Sequence, residues 1–407
     1  MLSSLDKSEA EAWRRITWAF FVLDRTYNAS RNYSICLSDN HFTLSFPLTT
    51  IGDHSPRGFL HDKSPNHEQN GDLDILACLL RLYSLWGKVT EWVFEPLETS
   101  TLPPWHSGSS LAVLESEWME FETRFANVHR YRNVDFKRRA REDPDSRQYL
   151  STWLCVQFLF HSIQCLLHHP FVTMVKLRHM KGNLSAAFLQ KSFESSLLHS
   201  RWIARFIREM TEVELRICDP FVGYLAAIAA TIQLEHTGNK NPKIALLLNS
   251  EYRVLVGFIT NLSLQWGSMK VLVRRVNELA SRHQNYGSLF YNQDGFSGEL
   301  SSMATPSNLP RMSAQDEALM WDILDLTSCG SGPQSITKPP ATTSIAAEIP
   351  NLDTPAPGEA VLGEVEPAII DGATGEWPFE HRGLGLGTGV PDIPDWMIFG
   401  DFMSEHL

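Results

Sequence analysis

The feature that most constrains the fold of this 407-residue chain is a dense apolar segment near its N-terminus. Its largest side chains recur every three or four positions, which is the spacing of neighbours on one face of an α-helix. They are Trp13, Ile16, Phe20, Leu23 and Tyr27. Trp18, Phe21 and Val22 form a second apolar face. The pattern therefore predicts a helix over residues 8–29 that is buried on most sides.

Helical periodicity continues through the front two-thirds of the chain. It is clearest at 109–133, where apolar residues again recur every three or four positions. Further helices are predicted at 72–95, 147–168, 170–181, 184–210, 220–236 and 249–283. Because no segment alternates between apolar and polar residues for long, we expect an all-α fold built as a multi-helix bundle.

The composition changes beyond residue 285, where Pro, Thr, Ser, Gly and Ala dominate. Residues 301–407 also carry 16 acidic and 3 basic residues, so the net charge of −12 is concentrated there. A segment of this composition buries too little apolar surface to offset its chain entropy. We therefore predict a helical domain at 1–285 and a long disordered acidic C-terminal tail at 286–407.

Composition and motifs disfavour several function classes. The residues before 301 include 32 basic and 31 acidic side chains, so no basic field attracts a phosphate backbone, and we expect no direct nucleic-acid contact. The six cysteines form no C-x-x-C pair, which is typical of reduced thiols in an intracellular protein. No Walker A, G-x-S-x-G or H-E-x-x-H motif occurs, and the glycines at 383–389 lack the spacing of a phosphate loop. We predict no catalytic residue, no cofactor and no metal ion.

The most apolar segment, 149–167, is the nearest candidate for a membrane span. It carries a polar stripe that favours a buried helix of a soluble protein, and the charged N-terminus has no signal-peptide core. The stripe consists of Gln157, His161, Gln164 and His168. A spacing that could approach one metal ion is shared by His161, Cys165, His168 and His169. No second ligand cluster is evident, so hydrogen-bonded core residues are the favoured interpretation.

The segment around residue 20 resembles the central motif of the regulatory (middle homology) domain in fungal binuclear-zinc-cluster transcription factors. The residues that carry this resemblance are Arg14, Arg15, Ile16, Thr17, Trp18, Phe21, Leu23, Asp24 and Arg25. Arg31-Asn32-Tyr33 stands where the family has a Gly-Arg-Pro-like turn, so that part departs from the pattern.

Two later segments resemble the same family in the same order. His168, Pro170 and Phe171 fall in a stretch that looks like its Leu-His-Arg-Pro-Phe step. Pro220 opens a segment that looks like the family's later core helix. The resemblance covers roughly residues 8–280, and three motifs in the right order make it more specific than any one alone.

The resemblance implies a nuclear transcriptional regulator of a fungal pathway-specific gene set, with secondary metabolism as one example. Family members carry a zinc cluster ahead of this domain, and this chain begins almost on the motif. We therefore expect an N-terminally truncated regulatory domain without the zinc-cluster DNA-binding module. It would act through the transcription machinery or a full-length transcription factor, and could respond to a small-molecule effector. The alternative is a helical ligand-binding protein or an enzyme without a recognisable catalytic motif.

Two acidic–aromatic segments interrupt the tail, at 316–326 and 392–403. Acidic neighbours keep aromatic residues solvated until they dock in an apolar groove of a coactivator, so these segments are predicted to be activation segments. The contact residues would be Trp321, Leu324, Trp396, Ile398, Phe399 and Phe402. The alternative for each segment is an element packed on the domain, since composition does not separate the two.

A basic run could act as a nuclear import signal. It consists of Lys137, Arg138, Arg139 and Arg141. Three acidic residues at 142–145 follow and offset its charge. A solvated helix end, where the helix dipole favours arginine, is therefore the preferred interpretation.

Overall fold

Every regular element among the described residues of the computed structural model is helical, which confirms the predicted all-α fold. The structure describes residues 6–47, 60, 74–95, 102–237, 242–283 and 306–330, apart from 29, 32, 179, 181, 307, 308 and 310. The predicted disordered tail beyond residue 330, with its second acidic–aromatic segment and its glycines at 383–389, lies outside these residues.

The α-helices of the described residues follow the chain with short connections. They are α1 (Lys7–Tyr27), α2 (Ile75–Phe94), α3 (Ser110–Arg124), α4 (Tyr131–Val134), α5 (Phe136–Glu142), α6 (Arg147–Leu167), α7 (Pro170–Leu177), α8 (Ala186–Glu212), α9 (Pro220–His236), α10 (Pro242–Ser263), α11 (Gly267–His283) and α12 (Ala314–Leu324). Short 3-10 turns lie at Asp39–His41, Asn127–His129, Pro144–Ser146 and Leu326–Cys329.

Side-chain caps fix where several helices begin. A carboxylate or hydroxyl just before the first turn accepts a hydrogen bond from a backbone amide that has no partner within the helix. The capping residues are Asp74, Ser109, Ser185, Asp219 and Ser313. α7 and α9 also begin with proline, whose fixed φ angle suits the first helical position.

α6 and α9 form the centre of the bundle. α6 packs against α2, α8 and α9, and α9 packs against α8, α10 and α11. Every residue of α9 from Phe221 to His236 is buried. Among the described residues, the run Pro144–Leu177 is long and apolar enough to span a membrane, but 83% of its most apolar window is buried inside the protein. A core helix of a soluble protein gives the same pattern.

The face of α1 that the sequence predicts to be buried is instead exposed. Its five large apolar side chains, Trp13, Ile16, Phe20, Leu23 and Tyr27, are each 42–61% exposed. The buried face is the second one, where Trp18 and Phe21 pack against Phe42 and Phe46 of the following loop. Both faces of α1 are apolar, so periodicity could not decide which one meets the core. We call the exposed set the α1 stripe.

Several predicted boundaries also differ. The helix predicted at 249–283 is divided by a turn at 264–266, where the Trp266 indole donates to the Cys218 carbonyl at 2.7 Å and anchors the turn. The helix predicted at 109–133 ends at Arg124. The domain predicted to end at residue 285 extends further, because α12 packs on α9 and α11 with Met320, Ile323 and Leu324 fully buried.

Two adjacent phenylalanines test which face of α1 is buried. Phe21→Ala should lower the free energy of unfolding by about 3–5 kcal/mol, because it empties a fully buried site. Phe20→Ala should change it by less than about 0.5 kcal/mol, because that side chain is 61% exposed. Chemical denaturation of both variants provides the comparison, and similar losses at the two positions would contradict the assignment.

The buried carboxyl of Glu235 predicts a pH-dependent stability. Burial raises its pKa from 4.5 to about 8. A raised folded-state pKa contributes stability that is complete below the unfolded pKa and is lost as the pH rises through the folded pKa. Glu235→Gln should therefore gain about 1.4 kcal/mol per pH unit over the parent protein between pH 4.5 and 8.

Urea unfolding at several pH values between 4 and 8 measures this difference. Glu120→Gln is the matched control, because the Glu120 side chain is 42% exposed and pairs with Arg124 at the surface. Parallel stability curves for Glu235→Gln and the parent protein would show that the carboxyl does not titrate as its burial requires.

Candidate functional site

The Arg25 guanidinium forms the centre of a buried polar junction between α1, the loop after it and α2. Arg25 is 2% exposed. It donates to the Asp24 carboxylate at 2.6 Å, the Asp39 carboxylate at 2.5 Å and the Leu37 carbonyl at 2.6 Å. It also lies over the Phe21 ring, 4.2 Å from the centroid. A buried charge needs such partners, because one without them would strongly destabilise the fold.

Asp24 binds the loop backbone as well as Arg25. Its carboxylate accepts hydrogen bonds from the amides of Cys36 and Leu37, each at 3.0 Å. Burial alone would raise the pKa of Asp24, but these hydrogen bonds, with those of Asn28 and the charge of Arg25, lower it overall. Asp24 therefore stays ionised and holds the loop against the end of α1.

Gly87 allows α2 to approach this junction. A Cβ atom there would lie 2.4 Å from Cδ of Arg25 and 2.8 Å from Cδ1 of Ile35. The Ser84 hydroxyl, one helical turn earlier, donates to the Asp39 carboxylate at 2.5 Å. The position thus requires a residue without a side chain.

The remaining residues of the first motif also have local partners. The Trp18 indole donates to the Ser45 carbonyl at 3.0 Å, which fixes the far end of the loop. Arg14 and Arg15 pair with Glu11 at 2.5 and 3.5 Å on the preceding turn of α1. The first motif therefore forms a junction that holds residues 33–47 in place.

The three motif segments meet in one hydrophobic core that contains Trp18, Phe171 and Phe221. The later two also contact α12. The Phe171 ring lies 4.9 Å from the Trp321 ring, edge to face. The Tyr224 hydroxyl, one turn after Pro220, donates to the Leu324 carbonyl at 2.5 Å.

Arginines from four parts of the chain hold the acidic helix α12. Arg31 pairs with Asp322 at 2.5 Å and Asp325 at 3.4 Å. The other pairs join Arg178 to Glu317, Arg275 to Asp322 and Arg282 to Asp316. Leu324 is fully buried and Trp321 is partly buried in this arrangement. The predicted role of these two residues in activation stays a prediction, and in this arrangement they contact the chain's own helices.

The four residues considered as metal ligands have separate partners. The contacts are His161 Nδ1 to His199 Nδ1 at 2.7 Å, Cys165 Sγ to the Ser196 carbonyl at 3.9 Å, His168 Nε2 to Glu115 at 2.9 Å and His169 Nε2 to Thr231 at 2.9 Å. Burial lowers the pKa of His169 and of His199 to about 3, so both are neutral at physiological pH. No described set of three or more His, Cys, Asp or Glu side chains is arranged to hold a metal ion.

The basic run lies on the short helix α5, and part of its charge is paired. Lys137 pairs with Glu212 at 2.7 Å, and Arg138 pairs with Asp135 and Glu142. The Arg139 guanidinium lies over the Tyr149 ring, 4.8 Å from the centroid. Arg141 is exposed. A role in nuclear import stays a prediction.

A cleft of about 780 Å³ lies beside the Arg25 junction. One wall is a stripe of α2, with Lys88, Glu91, Trp92 and Glu95. The facing wall is a stripe of α3, with Ser110, Val113, Leu114 and Glu117. Part of the loop after α1, at 30–34, also lines it. We call it the α2–α3 cleft.

Sequence reasoning did not identify this cleft. The only local signal is that each stripe has the spacing i, i+3, i+4, i+7, which also describes an ordinary helix surface. The two stripes face each other because Lys88 pairs with Glu117 at 2.7 Å across the helices. That pairing links residues on different helices, so no single segment contains the signal.

Comparison with known proteins places these observations in a family. Residues 2–117 match the family described as the fungal specific transcription factor domain. No solved structure matches the chain. The domain match includes the whole Arg25 junction and the first part of the α2–α3 cleft's α3 wall.

Curated relatives from Fusarium oxysporum f. sp. lycopersici match a longer region. One Zn(2)-C6 fungal-type transcription factor FTF1c is 22% identical over 289 residues, which is 68% of this chain and 30% of the relative. Another FTF1c protein is 23% identical over 301 residues, 70% of this chain and 30% of the relative. A Zn(2)-C6 fungal-type transcription factor FTF1a is 21% identical over 290 residues, 68% of this chain and 26% of the relative.

The chain thus spans less than a third of the length of these relatives. The domain match and the longer alignments agree with the motifs at the front of the chain and with the all-α fold. This chain contains a fungal specific transcription factor domain and is homologous to Zn(2)-C6 fungal-type transcription factors.

Proposed function

We propose that this chain regulates transcription in the nucleus through contacts with other proteins. The observation that carries the proposal is the domain match at 2–117 together with homology to Zn(2)-C6 transcription factors over 289 residues. These relatives are transcription factors, so no catalytic role is proposed. A pathway-specific gene set, with secondary metabolism as one example, is proposed from the family resemblance alone.

The proposed partners are the transcription machinery and a full-length zinc-cluster factor. The α1 stripe supports a protein partner, because contiguous exposed apolar side chains are typical of contact surfaces. The charge distribution supports indirect action, because the acidic residues are concentrated at 301–407 and would repel a phosphate backbone.

The acidic–aromatic segments are proposed to contact the transcription machinery. In the first, the apolar residues pack on α9 and α11, and the acidic residues pair with arginines of the helical body. Trp321 and Leu324 would therefore have to leave these contacts before binding a coactivator. The second segment, with Trp396, Ile398, Phe399 and Phe402, is proposed to act without that step.

A reporter assay with the full chain fused to a heterologous DNA-binding domain tests the function. On a promoter with basal expression, the fusion should change expression relative to the DNA-binding domain alone. The double variant Trp396→Ala, Phe399→Ala should abolish most of that change, because it removes the apolar contacts of the second segment.

The matched control is Trp377→Ala, Phe379→Ala, which removes the same residue types outside both predicted segments. This control should keep the reporter response. Expression unchanged by the unaltered fusion would reject the proposed function, and equal losses in both double variants would reject the assignment to residues 392–403.

A further inference from the structure

The α2–α3 cleft has an unequal charge balance. Lys88 and Glu117 neutralise each other at 2.7 Å, and Arg31 is neutralised by Asp322 at 2.5 Å and Asp325 at 3.4 Å. Glu91 forms no hydrogen bond or ion pair with any described residue. One carboxylate of the cleft wall is therefore left without a cationic partner in contact.

The charges behind Glu91 increase this imbalance. Arg25, Asp24 and Asp39 are near enough to act on its carboxylate, and two of the three are negative. Burial raises the pKa of Glu91; Arg25 opposes that change, whereas Asp39 and Asp24 add to it. A bound cation would relieve the excess negative charge at this wall.

The cleft also presents apolar surface beside this carboxylate. Tyr33 from the loop is 62% exposed and Val113 from α3 is 49% exposed, and both line the cleft. Trp92 and Phe94 of α2 add partly buried aromatic rings. Aromatic faces attract organic cations as well as apolar groups, so these surfaces and Glu91 suit one kind of ligand.

We propose that the α2–α3 cleft binds a small organic cation, with its ammonium group at Glu91 and its apolar or aromatic body against Tyr33, Trp92 and Val113. This inference goes beyond the proposed function, because binding requires no transcriptional activity. The N-terminus of α3 at Ser110 also lines the cleft and favours an anion, so the sign of the ligand charge is the decisive measurement.

Three probes with one ring system and different charges make that measurement. They are tryptamine, which is cationic at pH 7, tryptophol, which is neutral, and indole-3-acetate, which is anionic. Isothermal titration of the purified full chain should give the tightest binding for tryptamine, by about fivefold over tryptophol, with no measurable binding of indole-3-acetate. The advantage of tryptamine should fall as salt is added.

Two variants place the cation within the cleft. Glu91→Gln should weaken tryptamine binding to the level of tryptophol and leave tryptophol binding unchanged. Val113→Lys, at an exposed position of the facing wall, should abolish tryptamine binding by supplying a competing ammonium group. Glu120→Gln removes a carboxylate of α3 that does not line the cleft, so it should bind tryptamine as the parent protein does.

Several results would overturn the proposal. They are equal binding of the three probes, preference for indole-3-acetate, absence of binding by all three, and an unchanged tryptamine affinity in Glu91→Gln. Circular dichroism of each variant confirms folding before titration. Because the assay uses purified protein, its outcome is independent of the reporter experiment.

Discussion

A single buried guanidinium organises the N-terminal part of the described structure. Arg25 needs more than one partner to compensate its charge, and Asp24, Asp39 and the Leu37 carbonyl provide them. Because these groups come from α1 and from the loop after it, satisfying the charge also fixes the path of the loop. That loop brings Tyr33 to the α2–α3 cleft and Arg31 to α12. The first family motif thus acts as a structural junction from which two neighbouring features are positioned.

α12 connects segments that are far apart in the chain. It is contacted by Arg31 from the loop after α1, by Phe171 at the start of α7 and by Tyr224 in α9. Its ion pairs are partly exposed and contribute little individually, whereas the burial of Met320, Ile323 and Leu324 contributes more. Because Arg31 lines the cleft and also pairs with Asp322, a ligand in the cleft would contact a residue that holds α12.

Most of the helix positions were predictable, and much of the site was not. The predicted limits of 147–168 and 220–236 agree closely with α6 (Arg147–Leu167) and α9 (Pro220–His236), because proline, caps and periodicity are local signals. The acidic composition around α12 concealed a helix whose apolar residues are fully buried. The cleft could not be predicted, because its two walls come from different helices.

The sequence alone determined the all-α class, the positions of most helices and the resemblance to a transcription-factor family. Each of these depends on residues within a few turns of one another or on short motifs. The tertiary structure decided which apolar face of α1 is buried, how Arg25 is compensated, and that α12 joins the helical body. These outcomes depend on contacts between residues distant in sequence, such as Arg31 and Asp325, which are 294 positions apart. A helical repeat shows that a face is apolar, but only the packing of the chain supplies the surface that covers it.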